Sequence, residues 1–428
     1  MGPEGLNLLL EKSASHRFPP RRMPVPPLKK MSSPVLNQAA RILKLVQTGV
    51  PADQALRESL TQDRHFTDPA GRRAVSRAVF TYFRWWRWLA PKESLQKQTE
   101  AALALQERFD RNPATVKPEA LAARAVPDWL RDEIPWPEAE TAAPAEPGTQ
   151  EDKRPYPTEL AWLRQLQREP VLWIRTRSGS GGSVATRLGQ CLPPDSSALS
   201  LPPSAFRYTG LKDLYRTPEF QGGEFEIQDL ASQMVGHACR PEPGEAWWDA
   251  CAGEGGKTMH LADLMENKGQ LWATDRSVRR LAKLKERAAR AKVFNYRGAE
   301  WDGGPKLPTK TKFDGILVDA PCSGVGTWQR NPHARWTTTP RDVHELAAVQ
   351  AQLLNHVAGA LRPGGRLVYA VCTLTRAETT GVTGAFTAAH PELEPLPLST
   401  LSSPLPAVFL WPHEFNANGM FIATWRRK

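Results

Sequence analysis

Apolar residues recur at helical spacing through Ala39, Ile42, Leu43 and Val46, again at Leu56 and Leu60, and from Val75 to Leu89. One apolar face at a period near 3.6 predicts amphipathic helices, so the chain from Ser33 to Leu89 reads as helical. In the last of these helices Arg72, Arg73, Arg77, Arg84 and Arg87 alternate with Tyr82, Phe83, Trp85, Trp86 and Trp88. The aromatic rings are expected in the core, with the arginines as the wet face. Further on, Leu160 to Gln167 reads as a helix and Val171 to Thr176 as a strand. From about Phe225 the pattern changes. Short apolar runs at Ala246–Asp249, Gln270–Asp275, Gly315–Asp319 and Arg366–Val371 alternate with helix-like segments, the signature of a parallel sheet wrapped by helices. Leu346, Val349, Leu353, Val357 and Leu361 form the apolar stripe of the helix before the last strand, and Pro363-Gly364-Gly365 is expected to stop it.

A chain of 428 residues exceeds what one core supports, so several domains are expected. The predicted division is a disordered basic tail at 1–30, a helical domain at 31–132, a linker at 133–157, a small α+β subdomain at 158–225 and an α/β domain at 226–428. The excess of 56 Lys and Arg over 45 Asp and Glu makes a polyanion the first partner to consider. The arginine and aromatic side chains of residues 72–88 offer stacking and guanidinium faces that RNA could use. Cys191, Cys239, Cys251, Cys322 and Cys372 are an odd number without the close spacings of zinc or redox motifs, so neither a disulfide framework nor a metal site is expected. With no apolar run long enough to span a bilayer, the expectation is a cytoplasmic monomer without membrane contact.

The strand ends carry the chemistry. In open α/β sheets ligands bind outside the carboxyl ends of the strands, which predicts that Asp249, Asp275, Asp319 and Cys372 converge on one crevice. After the first strand, Cys251-Ala252-Gly253-Glu254-Gly255-Gly256-Lys257-Thr258 is a glycine-rich turn that opens a helix. Gly256-Lys257-Thr258 imitates the end of a nucleotide-triphosphate loop, but that loop needs glycine where Cys251 stands. The glycines also miss the dinucleotide fingerprint, which leaves adenosine binding, with Asp275 placed to accept from ribose hydroxyls. Asp319-Ala320-Pro321-Cys322-Ser323-Gly324-Val325-Gly326-Thr327 and Cys372 put two thiols at strand ends, facing one pocket if the strands are neighbours. Two such thiols suit covalent activation of a pyrimidine: a thiolate adding to carbon 6 of cytosine makes carbon 5 nucleophilic enough to accept a methyl group. The attacking thiol then needs an ionising environment, Asp319 is the candidate to steady ring nitrogen 3 and the exocyclic amine, and a second thiol or a water can take the carbon 5 proton.

At these residues, and at Arg330-Asn331-Pro332-His333-Ala334-Arg335-Trp336, the chain resembles the RNA cytosine-5 methyltransferases of the Sun (NSUN) family, in particular the bacterial type acting on small-subunit ribosomal RNA. The resemblance implies a Rossmann-like methyltransferase domain, a mostly parallel sheet with helices on both faces, preceded by an all-α NusB-like domain. It implies S-adenosyl-L-methionine as cofactor, contacted by Cys251, Ala252, Gly253, Glu254, Gly255, Gly256, Lys257, Asp275, Asp302 and Asp319. It makes Cys372 the nucleophile and Cys322 the residue that assists product release. The implied partner is RNA, ribosomal RNA first and transfer RNA second. Gln228 to Ser232 resembles the family's opening helix and Asn418 to Phe421 its closing strand. Gly253-Glu254 stands where the family usually has Ala-Pro, Val371 and Thr373 where Thr and Ser flank the nucleophile, and Thr379 where Asn is common. Two other readings are an RNA-binding ribosome-assembly factor without catalysis and a DNA cytosine methyltransferase.

Overall fold

The computed structural model describes residues 32–63, 66–137, 156–177, 179–194 and 201–428. The expected basic tail at 1–30 and most of the expected linker at 133–157 lie outside them.

The helical part starts with α1 (Ser33–Gln47), α2 (Ala52–Gln62) and α3 (Pro69–Arg84). Asp68 caps α3 by accepting from Gly71 N at 2.8 Å, and Pro69 in the first turn needs no donor there. The aromatic helix is therefore not the last of the bundle, and it is shorter than expected. It ends at Arg84, a 3-10 turn covers Trp86–Trp88, and α4 (Leu95–Arg111) and α5 (Pro118–Arg124) follow. Tyr82, Phe83 and Trp85 are in the core as expected, whereas Trp86, also expected there, is exposed. Arg84 is not on the wet face: it is buried, and donates to Thr81 Oγ1 and Gln106 Oε1, both at 3.4 Å. These two bonds through Nη1 meet part of the guanidinium's demand, while its Nε has no partner among the described residues.

After a helix at Pro157–Leu166 comes a small antiparallel sheet of β1 (Leu172–Thr176), β2 (Cys191–Leu192), β3 (Ala205–Tyr208) and β4 (Phe225–Ile227), in the order β2-β3-β1-β4. The main sheet has eight strands: β5 (Ala246–Asp249), β6 (Gln270–Asp275), β7 (Tyr296–Glu300), β8 (Phe313–Asp319), β9 (Leu361–Val371), β10 (Leu393–Pro395), β11 (Ala407–Leu410) and β12 (Met420–Arg427). Its order is β10-β12-β9-β8-β5-β6-β7, with β11 on β12. The pairs from β9 to β7 are parallel, and β12 runs antiparallel to β9. This is the expected fold class, a mostly parallel sheet behind an all-α part. Contrary to the expectation from sequence, Pro363-Gly364-Gly365 does not stop a helix. The helix Pro340–Ala358 ends earlier, and β9 already begins at Leu361, with its register to β8 shifting between Phe313 and Gly315.

The helical part and the main sheet share a core. Val325, Trp328, Leu374 and Trp411 pack in the cluster formed by the helices, and Trp136 stacks on Trp411 with ring centroids 5.6 Å apart. The Arg335 guanidinium is buried in the seam and donates to the carbonyls of Ala125 (2.9 Å), Leu166 (3.1 Å) and Trp328 (3.4 Å). The indole of Trp336 donates to Phe83 O at 2.7 Å. Among the described residues no helix is long and apolar enough to cross a membrane.

Candidate active site

Strand order reverses at β5: β6 and β7 are added on one side, then β8 and β9 on the other. Such a switch point opens a crevice at the carboxyl ends of the strands. Here it is a cleft of about 590 Å³. Cys251, Ala252, Gly253, Glu254, Gly256, Lys257, Asp275, Asp302, Asp319, Cys322 and Cys372 all line it. Two expected residues do not. Asp249 is fully buried beneath the turn and accepts from Thr258 Oγ1 at 2.7 Å, so it holds the start of the next helix instead of facing the crevice. Burial pushes its carboxyl up to about 7. Gly255 serves packing: it sits at φ 85°, and a Cβ there would come 2.6 Å from Leu284 Cγ.

The turn is tied to the neighbouring strand. Ala252 N donates to Thr274 O at 2.8 Å and Gly253 N to Asp275 Oδ2 at 3.0 Å, while Ser277 N donates to Asp275 Oδ1 at 2.8 Å. Asp275 is thereby fixed at the mouth of the turn with acceptor capacity to spare. Trp301, unremarked in the sequence, packs on Trp248 at 5.0 Å and holds Asp302 at the cleft's edge. Val349 and Leu353 add an apolar wall. Arg276 and Arg280 also line the cleft; their only signal in the sequence was the basic run that continues through the helix Val278–Arg290.

Opposite the turn, Cys322 Sγ and Cys372 Sγ are 3.2 Å apart. Cys372 follows the last residue of β9, and the Cys322 segment is laced to it: Gly326 N donates to Cys372 O at 3.0 Å, and Gly419 N to Gly326 O at 2.7 Å. A Cβ on Gly326 would meet Gly419 O at 2.2 Å, so only glycine permits this approach. Lys257 Nζ donates to Asp319 Oδ2 at 2.7 Å, with the lysine almost buried. Burial alone would lower the Lys257 ammonium, but Asp319, with Cys372 and Asp249, carries it above its ordinary value. The hydrogen bond from Cys322 pulls the Cys372 thiol below its ordinary value against burial and Asp319, with help from Lys257. The same contact, then burial, raises Cys322 well above its own. When the pair gives up its first proton, the charge is favoured on Cys372, with the remaining proton shared from Cys322.

The family described as 16S rRNA methyltransferase RsmB/F matches residues 237–426, the span holding the turn and both cysteines. Residues 237–426 belong to the RsmB/F family. The chain carrying this RsmB/F region is 38% identical over 221 residues to the probable ribosomal RNA small subunit methyltransferase B of Bacillus subtilis, covering 49% of each chain. It is 31% identical over 316 residues to the protein of the same description from Synechocystis sp., covering 70% of this chain and 66% of that one. The matches thus span about half to two thirds of these relatives' lengths. The solved structure of PH0851 aligns over 93% of this chain and all of its own, with a TM-score of 0.71 at 22% identity, a likeness of fold that takes in both the helical part and the RsmB/F region.

Proposed function

We propose that this protein transfers a methyl group from S-adenosyl-L-methionine to carbon 5 of a cytosine in RNA, with ribosomal RNA the first substrate to test and transfer RNA the second. The observation that carries the reading is the pair of sulfurs 3.2 Å apart in the cleft that also holds the glycine turn and Asp275.

The residues present fit the cofactor. Gly253 at φ 56° lets backbone come close to a ligand, Asp275 offers acceptors of the kind ribose hydroxyls need, and Trp301, Val349 and Leu353 offer an apolar wall for a purine. When bound there, S-adenosylmethionine supplies an electrophilic methyl group. The chain's own residues do the rest. The Cys372 thiolate forms a bond to carbon 6 and makes carbon 5 the nucleophile. The Asp319 carboxyl group, held by Lys257, steadies ring nitrogen 3 and the exocyclic amine. Once Cys372 has spent its charge in that bond, the largest cause holding Cys322 protonated is gone; Cys322 gives its proton to water, the resulting thiolate takes the carbon 5 proton, and the carbon 6–sulfur bond breaks with its electron pair returning to Cys372. In this reading residues 31–132 and 158–225 hold the RNA, and a paired target base is flipped out of its stack at a cost of a few kcal/mol, on the order expected for one base.

The test is incubation with labelled S-adenosylmethionine and RNA. Label is expected on cytosine, lost in Cys372→Ala, with a covalent RNA adduct accumulating in Cys322→Ala. Labelling by Cys372→Ala at the wild-type rate would overturn the assignment. No cofactor binding by calorimetry would favour a non-catalytic assembly factor, and preference for DNA over RNA would change the substrate class.

A further inference from the structure

Glu378, six residues beyond Cys372, is fully buried, and its hydrogen-bond partners are all neutral groups. Oε1 accepts from Ser323 N at 2.8 Å and from Gln350 Nε2 at 2.9 Å; Oε2 accepts from Thr373 Oγ1 at 3.1 Å, from Thr375 Oγ1 at 2.8 Å and from Ser323 Oγ. Ser323 directly follows Cys322, and Thr373 directly follows Cys372. One carboxylate therefore grips the residue after each thiol. Gln350 extends the grip by also donating to Pro321 O at 2.9 Å, on the other side of Cys322. Glu378 itself stands in a π-helical turn, Ala377–Gly381, a backbone form that recurs at functional sites. Burying a carboxylate is costly, and a structural tie between two segments could be made by neutral groups. Five donors converging on this one side chain point to a demand for fixed geometry.

We propose that Glu378 is a positioning residue of the two-thiol centre, fixing the separation at which Cys372 and Cys322 act in turn. The proposal rests on the reading above for the purpose of that separation, while the separation itself can be measured without RNA or cofactor.

Phenylarsine oxide captures two thiols only when both sulfurs reach one arsenic atom, so its rate of capture reports their spacing. Wild type should be captured rapidly, and Cys322→Ala and Cys372→Ala should not. Glu378→Ala should be captured about tenfold or more slowly, since a supporting group shifted by a fraction of an ångström is enough to spoil such a geometry. Its melting temperature, and its affinity for S-adenosylhomocysteine at the other end of the cleft, separate this from general unfolding. Glu378→Gln keeps one oxygen for Ser323 N and Gln350, and two of the three hydroxyls can turn to accept from its amide, so it should restore most of the capture rate. If Glu378→Ala does not fold, the double variant Ser323→Ala, Thr373→Val removes one hydroxyl on each side without opening a large cavity, and should slow capture several-fold, about what loss of part of a network gives. Capture at the wild-type rate by Glu378→Ala or by the double variant, or Glu378→Gln no better than Glu378→Ala, would overturn the proposal. A protein that methylates no cytosine, yet shows these differences in capture, would fail the function proposed above and keep this one. In a methylating protein, Glu378→Ala should slow adduct formation about 100-fold, the scale of a misplacement near 1 Å.

Discussion

Lys257 and Asp319 form a partly buried ion pair, Nζ to Oδ2 2.7 Å, at the point where the glycine turn meets the end of β8. The pair is also part of the thiols' electrostatics, because Lys257 favours the anionic form of Cys372 and Asp319 disfavours it. Since the Cys372 thiol lies below its ordinary value, its thiolate is populated at lower pH than that of a free cysteine. Lys257→Met should move the rise of Cys372 alkylation by iodoacetamide to higher pH, and Cys322→Ala should move it further, the hydrogen bond from Cys322 being the larger cause. Mass spectrometry of labelling rates across neutral to alkaline pH checks both shifts. Identical profiles would remove the electrostatic account.

Asp249 gives a stability signature of opposite origin. Its carboxyl is raised from 3.8 to about 7 by burial, so the folded state favours the protonated form. The stability this contributes is present below about 4 and is lost as pH climbs towards about 7. Asp249→Asn keeps an acceptor for Thr258 Oγ1 and has no charge to bury. Melting temperatures should therefore show the variant gaining on wild type as pH is raised from about 5 to about 8, with the two closest at the acid end. A constant difference across that range would contradict the buried, titrating carboxyl.

Gly255→Ala meets two obstacles, a left-handed backbone and the side chain of Leu284. We expect a loss of about 1–3 kcal/mol, the usual range for strain of this type, together with weaker cofactor binding as the turn shifts. Denaturant unfolding and calorimetry measure the two effects. An unchanged midpoint would show that the helix Val278–Arg290 can move aside.

Trp336→Ala cuts the bond to Phe83 O and the contact with Trp86, whose ring lies 5.3 Å away. Because the ring is only half-buried, the expected cost is about 2–3 kcal/mol, at the lower end for a large aromatic side chain. Proteolysis at the seam between the helical part and the sheet should accelerate. Wild-type resistance would mean that Arg335 and the packing of Trp328 and Trp411 hold the seam without it.

What could be read from the sequence followed the range of each signal. β5 and β6 begin and end where the apolar runs do, because a strand buried on both faces leaves a continuous apolar signature. The glycine turn and both cysteines were legible for a similar reason: they sit at strand ends, where topology alone brings them together. Asp249 was misread because position at a strand end says nothing about which way the side chain turns. Glu378 left no trace, since its partners come from three separate segments around residues 323, 350 and 373–375, and no periodicity links them. Arg84 and Arg335 were invisible as core residues, because burying a guanidinium depends on carbonyls and amides that only tertiary packing supplies.

The aromatic seam also bears on how the chain is made. Residues of the first bundle find part of their apolar cover in Val325, Trp328 and Trp411, which leave the ribosome only after most of the protein has been synthesised. Until then the nascent bundle carries an uncovered greasy flank, and its final closure must await the arrival of the carboxyl-terminal third.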